Sequence, residues 1–239
     1  MIIGLTFLLC VIVHVLAPFA SLRIIPGFSS LSLPIRQSWY HRLVSSLHAL
    51  VMSSLAVRYW GRVNINLAVS DAIGPLQKTS LDVMVGFLFY GILFESLLSK
   101  SYDTAMYHLV GLVIHLLTRY SDSGVSMYHL MALYLSELST PLLHFTWLLL
   151  HLRYDTTPLF HLLQGLLLLV FFVCRLLIGS LIFLHLLLYK SFWRHQVALY
   201  YFCSFVYTAF LVLNMKWFRS LVLLALRWKT DSATDRGDT

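Results

Sequence analysis

Apolar residues run through this chain in long blocks, and the polar residues collect in the gaps between them. The blocks cover residues 2–20, 39–60, 81–98, 104–120, 125–152, 159–189 and 197–217, the last extendable to Trp228. Each is near or above the roughly 20 apolar residues that a helix needs to cross a bilayer. The gaps carry turn chemistry. Residues 21–38 form a basic, Ser- and Pro-rich connector with Pro26-Gly27 and Pro34 as breakers, and the polar loop 61–78 contains Gly74-Pro75. Pro141 splits the fifth block, and Gly179 is a point where the long sixth can bend. The pattern predicts an all-α, polytopic membrane helical bundle of about seven transmembrane helices. Six or eight are the alternatives, depending on the split fifth block and the end of the seventh. Residues 1–37 make an N-terminal signal-anchor helix with its connector, 38–228 a membrane domain, and 229–239 a polar tail expected to be mobile on its own.

Composition supports the pattern. The 239 residues are 59% hydrophobic and 11% charged, with mean hydropathy +0.80, against about 45–50% and 25% in soluble domains. The net charge is +7, and the basic residues are scattered without a run, which argues against a nucleic-acid partner. With seven spans, ten basic residues fall on the side of the C-terminus and six on the other, a weak bias toward a cytoplasmic-type C-terminus. Cys10, Cys174 and Cys203 all lie in apolar blocks with no CxxC or Cys/His cluster. They read as buried thiols, and neither a metal nor any other cofactor is expected.

The informative positions are ionisable groups within the spans: Asp82, Glu95, His108, His115, Glu137, His144 and Arg175. A charge at bilayer depth costs about 2.5–3.5 kcal/mol on insertion scales and normally faces a partner or a cavity. Arg175, in the middle of the sixth block, is too far from either end to snorkel easily. Glu137 and Glu95 are the candidate charge partners. The pair would fix helix register, or Arg175 would anchor a lipid headgroup in a cavity. His108 and His115 are seven residues apart and share a helix face. Either could serve as a general base for acyl transfer, or both are imidazoles satisfied by neighbouring polar groups. The stretch 137–141, Glu-Leu-Ser-Thr-Pro, places a carboxylate, two hydroxyls and a helix-breaking proline together. The hydroxyls are suited to re-satisfy a carbonyl that the proline frees. No phosphate-binding glycine loop, HExxH or GxSxG occurs.

Four stretches, in order, resemble the TLC-domain family. They are 39–50, beginning Trp39-Tyr40-His41-Arg42 and ending His48-Ala49-Leu50; 86–90, Gly-Phe-Leu-Phe-Tyr; 137–141 with Trp147 following; and 213–218, Leu-Asn-Met-Lys-Trp-Phe. The form of 137–141 is similar to a TLCD-type branch, distantly related to the ceramide synthases. The resemblance implies six to eight membrane helices around a lipid-accessible cavity. It also implies activities that range from acyl transfer from acyl-CoA onto a sphingoid base to effects on membrane lipid composition without an assigned reaction. Two departures weaken the catalytic expectation. Where the synthases carry adjacent histidines this chain reads Tyr107-His108, and the acid expected after Tyr90 is Gly91.

The expected function is therefore binding or handling of acyl lipids and an influence on membrane lipid composition, without a complete synthase site. Glu137, Ser139, Thr140, Arg175 and His108 would contact the lipid, and no residue is a confident catalyst unless His108 and His115 serve an acyltransferase. The alternatives are a structural accessory subunit of a larger membrane complex, such as a respiratory or ATP synthase-type assembly, and an acyl-CoA-dependent sphingoid-base N-acyltransferase. Membrane lipids, sphingolipids included, are the expected partners, with other membrane subunits next. The expected location is an intracellular membrane, first the endoplasmic reticulum, with the mitochondrial inner membrane or the plasma membrane as alternatives.

Overall fold

The computed structural model describes residues 1–60, 73–99, 102–121, 124–193 and 196–234, and these are helical with no strand among them. In chain order the helices are α1 (Ile2–Ile24), α2 (Leu33–Trp60), α3 (Pro75–Phe94), α4 (Tyr102–Ser121), α5 (Gly124–Ser136), α6 (Ser139–His151), α7 (Pro158–Phe171), α8 (Ile178–Leu188) and α9 (Val197–Thr234). A π-helical turn, Glu95–Ser99, continues α3, and a second, Phe172–Leu177, joins α7 to α8. With α5–α6 and α7–α8 each taken as one interrupted rod, the blocks of the sequence map onto helical rods in order. Four segments, 2–24, 75–97, 158–188 and 197–226, are long and apolar enough to cross a membrane by themselves. The helices at 33–60 and 102–121 are less apolar, the rod at 124–151 is divided into two short helices, and together the three carry most of the polar interior among the described residues.

The boundaries move where local chemistry overrides hydropathy. The connector is shorter than expected: α1 runs to Ile24 and α2 already begins at Leu33, so Pro34 lies in the first turn of α2 instead of breaking it. A proline is tolerated there because the first amides of a helix have no acceptor. Pro75 does the same for α3, with Gly74 as its N-cap and the Gln77 side chain accepting from the Gly74 amide at 2.6 Å. The turn at Pro26-Gly27 forms as expected, and Gly27 takes φ +74°. The last helix continues to Thr234, into the expected polar tail. Residues 61–72 of the polar loop and 235–239 of the tail lie outside the described residues.

The irregularity in the sixth block is the π turn Phe172–Leu177, and Gly179 follows it inside α8. In the fifth block the helix breaks at Glu137-Leu138, before the proline. Pro141 sits in the first turn of α6, where its missing N–H is least costly.

Packing is closest between α1 and α3. A Cβ added at Gly86 would meet Ile3 O at 2.6 Å and Thr6 Cβ at 2.8 Å, so only glycine allows this approach. Further along α1, Trp39 Nε1 of α2 donates to Ser21 Oγ at 3.0 Å. At the other side of the bundle the Tyr207 hydroxyl of α9 donates to His129 O at 2.6 Å, and His129 Nε2 faces His185 Nδ1 at 3.3 Å. The α6 helix ends in a Schellman arrangement: Tyr154 N–H reaches Leu149 O at 2.9 Å and Arg153 N–H reaches Leu150 O at 3.1 Å. Arg153 fills the left-handed position at φ +63° where glycine is usual.

Candidate functional site

The break at Glu137-Leu138 is repaired by its own hydroxyls. Three main-chain amides shorten their reach: Glu137 N–H bonds to Tyr134 O at 3.2 Å, Leu138 N–H to Leu135 O at 3.2 Å, and Thr140 N–H to Glu137 O at 2.9 Å. This leaves Leu133 O and Ser136 O without the amides that a continuous helix would supply. Ser136 Oγ donates to Leu133 O at 2.6 Å, and Ser139 Oγ donates to Ser136 O at 3.0 Å. The serines of 136–140 thus satisfy the carbonyls that the break frees, as buried polar groups require.

The same segment receives Arg175 from the π turn. Arg175 Nε donates to Ser139 Oγ at 2.7 Å, Nη2 to Thr140 Oγ1 at 2.9 Å, and Nη1 to Asn214 Oδ1 of α9 at 3.2 Å. Asn214 is itself fixed by donating to Phe210 O at 2.7 Å. The cluster is buried: Ser139 is 1% exposed, Asn214 0% and Arg175 7%. Phe171 lies under the guanidinium, 5.1 Å from ring centroid to Cζ. Among the described residues no carboxylate lies within ion-pair distance of Arg175. Glu137 reaches it through a hydroxyl, since Thr140 Oγ1 donates to Glu137 Oε2 at 2.9 Å. The expected direct charge pair is thus replaced by a relay, Glu137–Thr140–Arg175. A planar fork suits this arrangement, because three separate acceptors lie in the directions its N–H groups point.

Glu95, the other expected partner, belongs elsewhere. It opens the π turn that ends α3, and its Oε1 lies 3.3 Å from His41 Nε2 of α2. His41 stacks on Phe94 with centroids 4.3 Å apart and planes 4° apart, and its Nδ1 lies 3.4 Å from the Tyr90 hydroxyl. That hydroxyl lies 2.8 Å from His14 Nδ1 on α1. A chain of carboxylate, imidazole, phenol and imidazole thus links α3, α2 and α1. Glu95, Glu137 and Arg175 each stand on an interruption of the α-helical backbone, and π turns frequently mark functional positions.

His108 sits at the edge of this second cluster. Its ring centroid is 6.5 Å from that of His41, and it packs on Gly91, where an added Cβ would come 2.5 Å from its Nδ1. Gly91, directly after Tyr90, therefore makes room for the imidazole. His115 is separate: its Nδ1 faces Gly111 O at 2.6 Å on its own helix, and its ring stacks on Tyr134 at 5.7 Å. The two histidines share a face but not a site. His144 lies between Ser46 Oγ at 2.9 Å and Arg42 O at 3.0 Å, and Asp82 pairs with Arg119. The sequence-predicted residues Glu137, Ser139, Thr140 and Arg175 come together, whereas His108 and His115 do not join them. Asn214 and His41 had a signal in the fourth and first resembling stretches, but nothing tied them to Arg175 or Glu95; His14 had none.

A shallow hollow of about 280 Å3, lined by Ile73, Lys78, Leu81, Arg119 and Tyr120, lies at the opposite end of α3 from Glu95. It reaches neither polar cluster, and Arg175 is surrounded by protein side chains.

Long apolar helices around a polar interior define an integral membrane helical protein. The TLC domain (TRAM/LAG1/CLN8) matches residues 38–223, most of the chain, and the protein belongs to that family. The match begins after α1 and ends within α9. No curated protein and no solved structure gives a significant match.

Proposed function

We propose that this TLC-domain protein binds acyl lipids within its bundle, with the Arg175 cluster as the polar end of the site. The observation that carries this reading is a buried guanidinium held by neutral acceptors alone. A guanidinium has five N–H donors, and Ser139, Thr140 and Asn214 take three of them, which leaves two for a ligand. A lipid carbonyl, carboxylate or phosphate is the matching acceptor. The site lies on two backbone interruptions, the Glu137-Leu138 break and the π turn, and it is there that the packed rods would have to part to admit an acyl chain. The reading is consistent with the TLCD-type resemblance of 137–141 and with a place in the endoplasmic reticulum membrane. Lipidomics on a deletion strain, together with mass spectrometry of lipid carried through purification, tests it. An unchanged lipid profile and no co-purified lipid would sink it.

Two further readings each rest on one observation. The interior at Arg175 is filled by side chains, which favours a structural accessory subunit of a larger membrane assembly. Migration as a lone monomer on native gels would count against that reading. For an acyl-CoA-dependent sphingoid-base N-acyltransferase, the favouring observation is His41. The second imidazole that is missing next to His108 in sequence is supplied by α2, with Glu95 behind it. Incubating the purified protein with long-chain acyl-CoA and a sphingoid base decides that case, and product formation unchanged by His41→Ala and His108→Ala would exclude these residues.

A further inference from the structure

The last helix carries an outward seam. Phe205, Ala209, Val212, Lys216, Arg219 and Leu223 follow one another at alternating spacings of four and three residues, and all are exposed. That alternation is the seam along which left-handed helix pairs meet, in membranes as in coiled coils. Two cations occupy its centre. Lys216 and Arg219 make no ion pair with any carboxylate among the described residues.

Neither cation stands at a membrane surface. Phe218 lies between them in the chain, and its ring contacts Phe171 and Phe172 with centroids 6.0 and 5.8 Å apart. From Phe171 back to Pro158 is about 20 Å of helix, and from Phe172 on to Leu188 about 24 Å. Both stretches turn leucines outward, Leu159, Leu162 and Leu169 in the first and Leu181, Leu184 and Leu188 in the second. Wherever a hydrocarbon core of roughly 30 Å is laid within this rod, the level of Phe218 is at least about 6 Å inside it. Helical side chains lean toward the helix N-terminus. Lys216 and Arg219 therefore lean back toward Val197, away from the nearer end of the apolar span at Leu226.

We infer that this seam is the docking face for a transmembrane helix of a different polypeptide, whose aspartate or glutamate faces Lys216 and Arg219. A charge at bilayer depth is costly, and such groups almost always face a partner. A carboxylate is the matching anion, and Arg219 can hold one through two N–H groups. Phe205, Val212 and Leu223 supply packing surface, and Ala209 lets the two backbones approach. A second copy of this chain does not supply the anion. A two-fold pair of seams sets cations against cations, and Asp82, Glu95 and Glu137 already face Arg119, His41 and Thr140. The inference rests on the accessory-subunit reading and gives it a surface and a partner chemistry. It does not depend on the interior lipid site, because these side chains face outward and Arg175 is buried.

The test pairs the full chain, labelled with a fluorophore at its C-terminus, with a synthetic transmembrane peptide in phosphatidylcholine vesicles. The peptide is built of leucine and alanine on a seam of the same spacing, with one central glutamate, and energy transfer reads association. The glutamate peptide is expected to associate about tenfold more tightly than its glutamine twin. Lys216→Gln with Arg219→Gln should remove that preference, and the conservative pair Lys216→Arg with Arg219→Lys should keep it. Lys190→Gln, in the turn before α9, should leave it unchanged, and so should adding one part in ten phosphatidylglycerol. Arg219→Gln alone serves if the double variant does not fold, and a several-fold loss is expected there. In the native membrane, a photo-cross-linking residue at Val212 is expected to couple to a polypeptide other than this chain, and to lose that coupling in the glutamine pair. Equal association of the two peptides would overturn the proposal. So would a preference that survives the glutamine pair or vanishes with phosphatidylglycerol, or coupling at Val212 to lipid or to a second copy alone. Lipid held at Arg175 is read separately, by mass, so the two readings fail independently.

Discussion

Arg175 and Ser139, on separate rods, are joined at 2.7 Å, and the same serine closes the carbonyl of Ser136 at 3.0 Å. One hydroxyl therefore repairs the break in the fifth rod and fixes the guanidinium of the sixth. Breaking the helix at 137–138 is what turns Ser139 and Thr140 toward Arg175.

Serine, not proline, should be the energetic centre of the break. Ser139→Ala removes an acceptor from a buried guanidinium and a donor from a freed carbonyl, a loss of about 1–3 kcal/mol. Pro141→Ala acts in a first helical turn and should change stability by less than about 1 kcal/mol. Thermal unfolding in mild detergent compares the two, and a larger loss for Pro141→Ala would mean that the proline sets the local geometry.

Arg175→Met should be severe. It strands Ser139, Thr140 and Asn214 and leaves Glu137 without its relayed cation, at about 3–5 kcal/mol. Arg175→Lys should recover only part of this, because an ammonium cannot address three separated acceptors in fixed directions. Asn214→Leu should cost less than Arg175→Met, with the two effects far from additive in a double-mutant cycle.

The Gly91 and His108 contact predicts a compensating pair. Gly91→Ala alone brings a methyl against the imidazole and should cost about 1–3 kcal/mol. In a His108→Ala background the ring is gone, so the same substitution should cost much less. Unfolding of the four proteins in the cycle reads this directly, and equal costs in both backgrounds would contradict the contact.

Arg153→Gly is expected to stabilise the protein. The Schellman turn after α6 needs a left-handed residue, and Arg153 provides it at φ +63°. Glycine removes the Cβ strain at a gain of about 1 kcal/mol, read as a higher melting temperature.

Hydropathy made the rods legible, because crossing a bilayer demands long apolar stretches. The polar stretch 137–141 and Arg175 stood out for the converse reason, since charge in such stretches is costly. The contacts between them were less accessible. Arg175 was matched to a carboxylate by charge, but in the structure it binds hydroxyls and an amide, whose acceptor strength leaves no mark in a charge pattern. The π turns at Glu95–Ser99 and Phe172–Leu177 have no proline or glycine inside them to announce them. The link from His14 to Tyr90 joins residues 76 positions apart. Moreover, α1 lies outside the TLC match, so neither local pattern nor family motif connects them.

The central claim is that the Arg175 cluster receives an acyl lipid. Native mass spectrometry of the purified chain, released from detergent under gentle activation, tests it most directly. The account predicts one acyl lipid per chain in the wild type, lost in a folded Arg175→Lys variant. A wild-type chain free of lipid, or a bound lipid indifferent to Arg175, would contradict it.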